Sequence, residues 1–147
     1  QNTNGALGNG NTINYSSPVQ IGSLTNWKQV SNGTGRINIA IKTDGTLWTW
    51  GSNTYGGLVN GTTLHYSSPI QIGALTNWKQ VASGSGHLSA IKTDGSLWTC
   101  GFNQYGQLGD GTTVSKSSPV QVGALTNWKQ VACGYYNTPA ITFKDLV

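Results

Sequence analysis

The chain has no glutamate and no methionine, and only 8% of its 147 residues are charged. Its four acidic residues are all aspartate, set against eight Lys and Arg. No two carboxylates are placed as a pair, so the arrangement used for glycoside hydrolysis is not visible. The two histidines, His65 and His87, and the two cysteines, Cys100 and Cys133, lack the spacing of a metal site. No Gly-Lys-Ser/Thr leads a helix, so Gly-rich pieces such as "SGSG" (83–86) differ from phosphate loops. No base is nominated for a nucleophilic serine. These absences argue against an enzyme and imply no cofactor. There is no run of 18 apolar residues, so membrane insertion is not expected. The cysteines match Trp50 and Ser83 of other copies and read as buried free thiols rather than a bridge. The lack of Met, even at position 1, and of a signal peptide predicts a trimmed or excerpted chain. The basic residues never run together, which argues against nucleic-acid binding, and most read as a solvated position that recurs once per repeat.

What is present is repetition. "LTNWKQV" stands unchanged at 24–30, 75–81 and 125–131. "SSPVQIG" (16–22) returns as "SSPIQIG" (67–73) and "SSPVQVG" (117–123), and "AIKTDGTLWTWG" (40–51) as "AIKTDGSLWTCG" (90–101). "NTNGALGNGNT" (2–12) returns as "NTYGGLVNGTT" (53–63) and "NQYGQLGDGTT" (103–113). A period of about 50 residues indicates a solenoid, propeller or array. Asp-Gly between short apolar runs is a hairpin signal, and Pro at the head of "PVQVG" suits an edge strand. No segment holds a helical period over two turns. The expectation is an all-β chain of about three four-stranded propeller blades: a partial β-propeller, or part of a ring completed by further repeats or subunits. One repeat array spans 1–147, with repeats at about 1–51, 52–101 and 102–147. The last is incomplete, because "AITFKDLV" (140–147) replaces "AIKTDGSLW" and Pro139 stands where Ser89 does. The first blade is expected to keep only its outer strand. The one-residue difference between copies is placed at Asn38, which makes Arg36, His87 and Asn137 counterparts.

Trp27, Trp78 and Trp128 share one repeat position, and Trp48 and Trp98 another. Rings at fixed places in stacked repeats read as inter-blade core. Asp44, Asp94 and Asp110 read as turn residues, because Asn replaces Asp110 in the other copies.

The stretch "GHLSAIKTDGSLWTCGFNQYGQLGDGTT" (86–113) resembles the repeat of the regulator-of-chromosome-condensation family. The resemblance covers almost the whole chain and implies four-stranded blades, usually seven to a ring. His87 falls at the family's Gly-x-x-His position, near the loop face that engages a small GTPase in the chromatin-bound member. Arg36 and Asn137 as its counterparts argue against carrying exchange activity over.

The reading of function is a non-enzymatic scaffold or protein-binding module. Low charge with abundant Asn, Thr and Ser suggests an extracellular or virion surface, as in phage structural or host-recognition components. Candidate binding loops are the varied positions Arg36, Ile37, Asn38, His65, Tyr66, His87, Leu88, Tyr135, Tyr136 and Asn137. Expected partners are proteins: other copies or neighbouring subunits through incomplete blades, or a host receptor. The alternatives are a secreted inhibitor-type propeller that binds an enzyme, a GTPase or chromatin regulator of the same family, and a carbohydrate binder.

Overall fold

A computed structural model describes residues 1–142. The end of the third repeat, 143–147 with Lys144, lies outside the described residues. Among the described residues ten strands form three antiparallel sheets. The first blade is β1 (Trp27–Asn32), β2 (Ile37–Lys42), β3 (Leu47–Gly51) and β4 (Tyr66–Gln71), and the second is β5 (Trp78–Ser83), β6 (His87–Lys92), β7 (Leu97–Gly101) and β8 (Lys116–Gln121). The third holds β9 (Trp128–Val131) and β10 (Ala140–Thr142). None of the described residues forms a helix long and apolar enough to cross a membrane.

The blades straddle the sequence repeats. Each takes three strands from one copy and its outer strand, "YSSPIQ" or "KSSPVQ", from the next. Contrary to the expectation of an outer strand near the N-terminus, residues 16–22 form none, because no third strand lies beside them to pair with. Pro69 and Pro119 sit in the outer strands where the register shifts past Thr49 and Thr99, so the missing N–H disturbs no regular ladder bond.

The Asp-Gly hairpins form with three-residue loops. Lys42 N donates to Thr46 O at 3.1 Å, and Gly45 N to Lys42 O at 3.0 Å, with Gly45 at φ 81°. This is a type I turn closed by a left-handed residue, which favours glycine. Asp44 Oδ1 accepts from Thr46 N (3.0 Å) and Thr46 Oγ1 (2.6 Å), and Trp48 Nε1 donates to the same hydroxyl at 2.8 Å. Asp94, Ser96 and Trp98 repeat the chain of contacts. Each turn aspartate therefore also orients an indole.

The second strand of each complete blade is buried along its whole length. Its side chains alternate between two neighbours, so β6 serves two seams at once. Leu88 and Ala90 pack with Ile37, Ile39 and Ile41 of the first blade, whereas Ile91 packs with Val131 of the third. Blades converge along β1, β5 and β9. The Gln29 side chain donates to Val81 O (3.0 Å) and accepts from Val81 N (3.2 Å), and Gln80 accepts from Val131 N (3.3 Å). Gly84 is required at this approach: a Cβ there would press on Gly134 O and the His87 ring.

Trp78 is buried in the first seam with Trp98 packed beside it, and Trp128 packs on the second seam. Trp27 and Trp48 meet edge to face at 6.0 Å on the front of the first blade, which no blade precedes among the described residues. The solvated-lysine reading fails for two residues. Lys42 and Lys92 are 5% and 7% exposed, with Nζ 3.4 Å from the Trp48 centroid and 3.6 Å from the Trp98 centroid. Their stems lie against indole faces that attract the ammonium group.

Candidate functional site

The loops after β3 and β7 are built around one buried asparagine per repeat. Asn53 Oδ1 accepts from Leu58 N at 2.8 Å, and its Nδ2 donates to Thr62 O at 2.8 Å. Asn103 makes the same bonds with Leu108 N (2.9 Å) and Thr112 O (2.9 Å), and Asn2 with Leu7 N (2.8 Å) and Asn11 O (2.9 Å). All three are fully buried. The knots at Asn53 and Asn103 each drive a leucine inward, Leu58 and Leu108, and turn the residue two places after the asparagine outward. That residue is Tyr55 in one loop and Tyr105 in the next, 62% and 63% exposed.

Neighbouring segments bring more rings to the same place. Phe102 follows β7, its N–H donating to Gly86 O at 2.8 Å. The first two strands of each blade are joined by Thr34-Gly35-Arg36, by Ser85-Gly86 and, in the third blade, by Tyr135-Tyr136. The result is a row of five aromatic rings across blades one to three. Centroids are 5.0 Å apart for Tyr55–Phe102, 6.1 Å for Phe102–Tyr105, 4.6 Å for Tyr105–Tyr136 and 4.4 Å for Tyr136–Tyr135. With Ser85 and Gln104 they line a cleft of about 290 Å³ that has no charged side chain. Thr138 Oγ1 donates to Gln107 O at 2.7 Å, and Gln107 Oε1 accepts from Tyr105 N at 3.0 Å, which fixes the loop of blade two against blade three. Partial desolvation, and then the Tyr135 hydroxyl, push the Tyr136 phenol above its ordinary range.

Of the residues singled out from the sequence, Tyr135 and Tyr136 belong to this row. Asn137 is exposed beside them, and its carbonyl accepts from Gly134 N. Arg36 is exposed on the first turn at φ 63°, and its guanidinium donates to Gln1 Oε1 at 2.6 Å. His65 is exposed, but its Nδ1 accepts from Asn53 N at 2.8 Å and so supports the knot. Four of the proposed loop residues are corrected. Ile37, Asn38, His87 and Leu88 lie in β2 and β6 and are at most 4% exposed, because blades cover both faces of β6, while β2 is covered by the second blade behind and by the N-terminal segment in front, where Ala6 O accepts from Asn38 Nδ2. Tyr66 opens β4 and packs on the first seam.

The counterparts are corrected as well. Ile37 pairs with Gly51 as His87 does with Gly101, and Arg36 O and Gly86 O accept equivalent bonds. The residue equivalent to His87 is thus Ile37, and the extra residue lies in the turn before it. An insertion within a buried strand would flip every following side chain, whereas a turn absorbs it. His87 Nε2 lies 3.3 Å from Asn137 O, Nδ1 has no hydrogen-bond partner among the described residues, and burial lowers its pKa below the usual value. Both cysteines are free thiols; burial pushes the Cys100 thiol far up, and Cys133 Sγ lies 2.9 Å from Ser89 Oγ. No three His, Cys, Asp or Glu among the described residues gather into a metal-binding group.

Tyr55, Phe102 and Tyr105 escaped the sequence reading. The available signal was Asn-x-Tyr-Gly at 53–56 and 103–106, where the asparagine is constant across the copies.

Stacked four-stranded blades with loops gathered at one end define a β-propeller repeat module. The pattern described as "Regulator of chromosome condensation (RCC1) repeat" matches residues 1–35, 44–91 and 94–141, and a second pattern of the same description matches 27–56 and 78–107. The chain belongs to this family. It is 37% identical over 87 residues to the E3 ubiquitin-protein ligase HERC2 of Homo sapiens, a stretch that is 57% of this chain and 2% of that protein. Its fold is similar to that of Prp20p from Saccharomyces cerevisiae, with a TM-score of 0.68 at 18% identity over 81% of this chain and 32% of Prp20p. It is also similar to human WBSCR16, with a TM-score of 0.52 at 19% identity over 99% of this chain and 52% of that one. The Prp20p structure is described with its binding to Gsp1p and histones, and a further structure shows Kap60 bound to the same yeast protein.

Proposed function

We infer that this chain is a protein-binding β-propeller module whose contact surface is the tyrosine-lined loop face. The observation that carries this reading is the row of four exposed tyrosines, Tyr55, Tyr105, Tyr136 and Tyr135, around the half-buried Phe102, with the loops of Tyr55 and Tyr105 held by buried asparagine knots. Tyrosine supplies large contact area with little side-chain entropy to lose, and it anchors many protein interfaces. The uncharged cleft suits an apolar or amide-rich surface better than a phosphate backbone, which is held by Lys and Arg. The chain spans only a small part of HERC2, so the ligase activity in that protein's name is not carried over to it, and the reading here is binding.

Two partner classes follow. A small GTPase or histone partner is supported by the likeness to Prp20p. A host receptor, met on a virion or cell surface, rests on the low charge and the abundance of Asn, Ser and Thr. Biolayer interferometry against Gsp1p and core histones separates them, using the wild-type chain and the double variant Tyr105→Ala/Tyr136→Ala. Binding by the wild type, reduced at least tenfold in the variant at unchanged thermal stability, supports the first class and the face together. Binding that ignores the double variant overturns the face. No binding to either protein removes the GTPase and histone class.

A further inference from the structure

Lys92 is a cation that the fold almost buries without pairing it. It is 7% exposed, and among the described residues its ammonium makes no hydrogen bond and no ion pair. Asp94 feels its charge, but that carboxylate is engaged by Ser96 N and Ser96 Oγ. Two indoles hold the ammonium instead, with Nζ 3.6 Å from the Trp98 centroid and 4.9 Å from that of Trp78. Ring faces attract a cation, yet an ammonium carries three donors and a buried charge is normally paired.

A cavity of about 250 Å³ lies against this lysine. Val59, Ile72, Leu75, Trp78, Trp98 and Pro119 line it, with Lys92 in the wall and no acidic side chain. A second unused donor belongs to the same lining. Trp78 is 3% exposed and its Nε1 has no acceptor among the described residues, whereas Trp98 Nε1 donates to Ser96 Oγ. The cavity is copied with the repeat. In the first blade Ile21, Leu24, Trp27, Trp48 and Pro69 line its counterpart of about 220 Å³, and Lys42 Nζ lies 3.4 Å from the Trp48 centroid. The second-blade cavity is built wholly from residues 59–119, so neither end of the chain shapes it, and it shares no residue with the tyrosine row.

We propose that the second-blade cavity binds a small organic carboxylate with an apolar body, and that the first-blade copy does the same. The carboxylate accepts from the Lys92 ammonium and from the Trp78 indole N–H. The body fills the space between Ile72, Leu75 and Pro119. Inorganic anions fit less well, because they bury no apolar surface. A cation is repelled by Lys92, and a neutral ring leaves the ammonium unpaired.

The test uses the 147-residue chain with isotope-labelled indole nitrogens. Phenylacetate is the probe and phenylacetamide its neutral counterpart, each titrated while the indole N–H resonances are followed by NMR. Trp78 and Trp98 report the second blade, and Trp27 and Trp48 the first. Phenylacetate should shift all four saturably, and the amide should bind at least tenfold more weakly. Lys92→Met keeps a stem against the indoles and removes the charge. It should weaken phenylacetate at least tenfold at the second blade and erase the preference over the amide there. Leu75→Asp places a repelling carboxylate at a rim position that is 49% exposed, so the fold is kept even where Lys92→Met fails to fold, and circular dichroism checks both. It should abolish the response of Trp78 and Trp98 and leave that of Trp27 and Trp48. No saturable shift at about 10 mM phenylacetate, near the weakest affinity expected of a ligand this small, would overturn the proposal. So would an amide that binds equally well, or a response of Trp78 and Trp98 that survives Leu75→Asp.

Discussion

Asn53→Ala tests how the loop face is built. The side chain is fully buried and serves two backbone groups of a loop, the Leu58 N–H and the Thr62 carbonyl, both at 2.8 Å. Truncation leaves both without a partner, and each orphaned buried group costs roughly 1–3 kcal/mol. Water can reach the Thr62 side of the loop, since Thr62 is half-buried, whereas Leu58 is fully buried and its N–H stays dry. The loss should therefore be about 2–4 kcal/mol, a large part of the roughly 5–15 kcal/mol that holds a domain together. Urea unfolding followed by tryptophan fluorescence measures it, with Asn2→Ala as an internal control. Leu7, the partner of Asn2, is only half-buried, so the same truncation there should cost about half as much. A loss below about 0.5 kcal/mol for Asn53→Ala, or equal losses at the two positions, would refute the claim that the knot fastens the loop by satisfying dry backbone groups.

Gly84→Ala should cost about 3 kcal/mol, because the new Cβ meets a backbone carbonyl and a buried ring that cannot give way, while Gly61→Ala, in open space at φ 75°, should cost about 1 kcal/mol. Calorimetry comparing the two melting temperatures decides, and equal shifts would disprove tight convergence of the blades. His87 has a folded pKa below its ordinary 6.5, through burial, so the unfolded chain binds the proton more readily. Stability should be full above about pH 6.5 and decline as pH falls below it, before Asp44 and Asp94, held low by their Thr46 and Ser96 hydrogen bonds, begin to titrate. His87→Asn, which installs the residue found at the same place in blade three, should flatten the profile just below pH 6.5; a slope that persists would assign the effect elsewhere.

Most of the β architecture was legible from residues close together in the chain. Asp44-Gly45 and Asp94-Gly95 marked hairpins because the left-handed turn residue and the carboxylate that caps it are adjacent. Pro69 and Pro119 marked outer strands because a residue without an N–H is excluded from a central ladder. The tryptophan at 78 was legible as seam because a large ring recurring in a stacked array needs a neighbour to cover it. Errors arose where a residue type was taken as a guide to exposure. Varied positions were read as loops, but His87 and Leu88 vary because each seam has its own packing partner, not because they meet solvent. Lysine was read as solvated, but Lys92 lies between two indoles contributed by strands on either side.

Hairpin position and the number of blades were determined by the sequence alone, because turn chemistry and period-two patterning act over a few residues and are copied with each repeat. The offset between blade and repeat, and the gathering of Tyr55, Phe102, Tyr105, Tyr135 and Tyr136 into one row, were decided only by the tertiary structure. Both depend on which segment lies beside which across about 50 residues of chain, a relation set by how the blades stack and by no local pattern in the sequence.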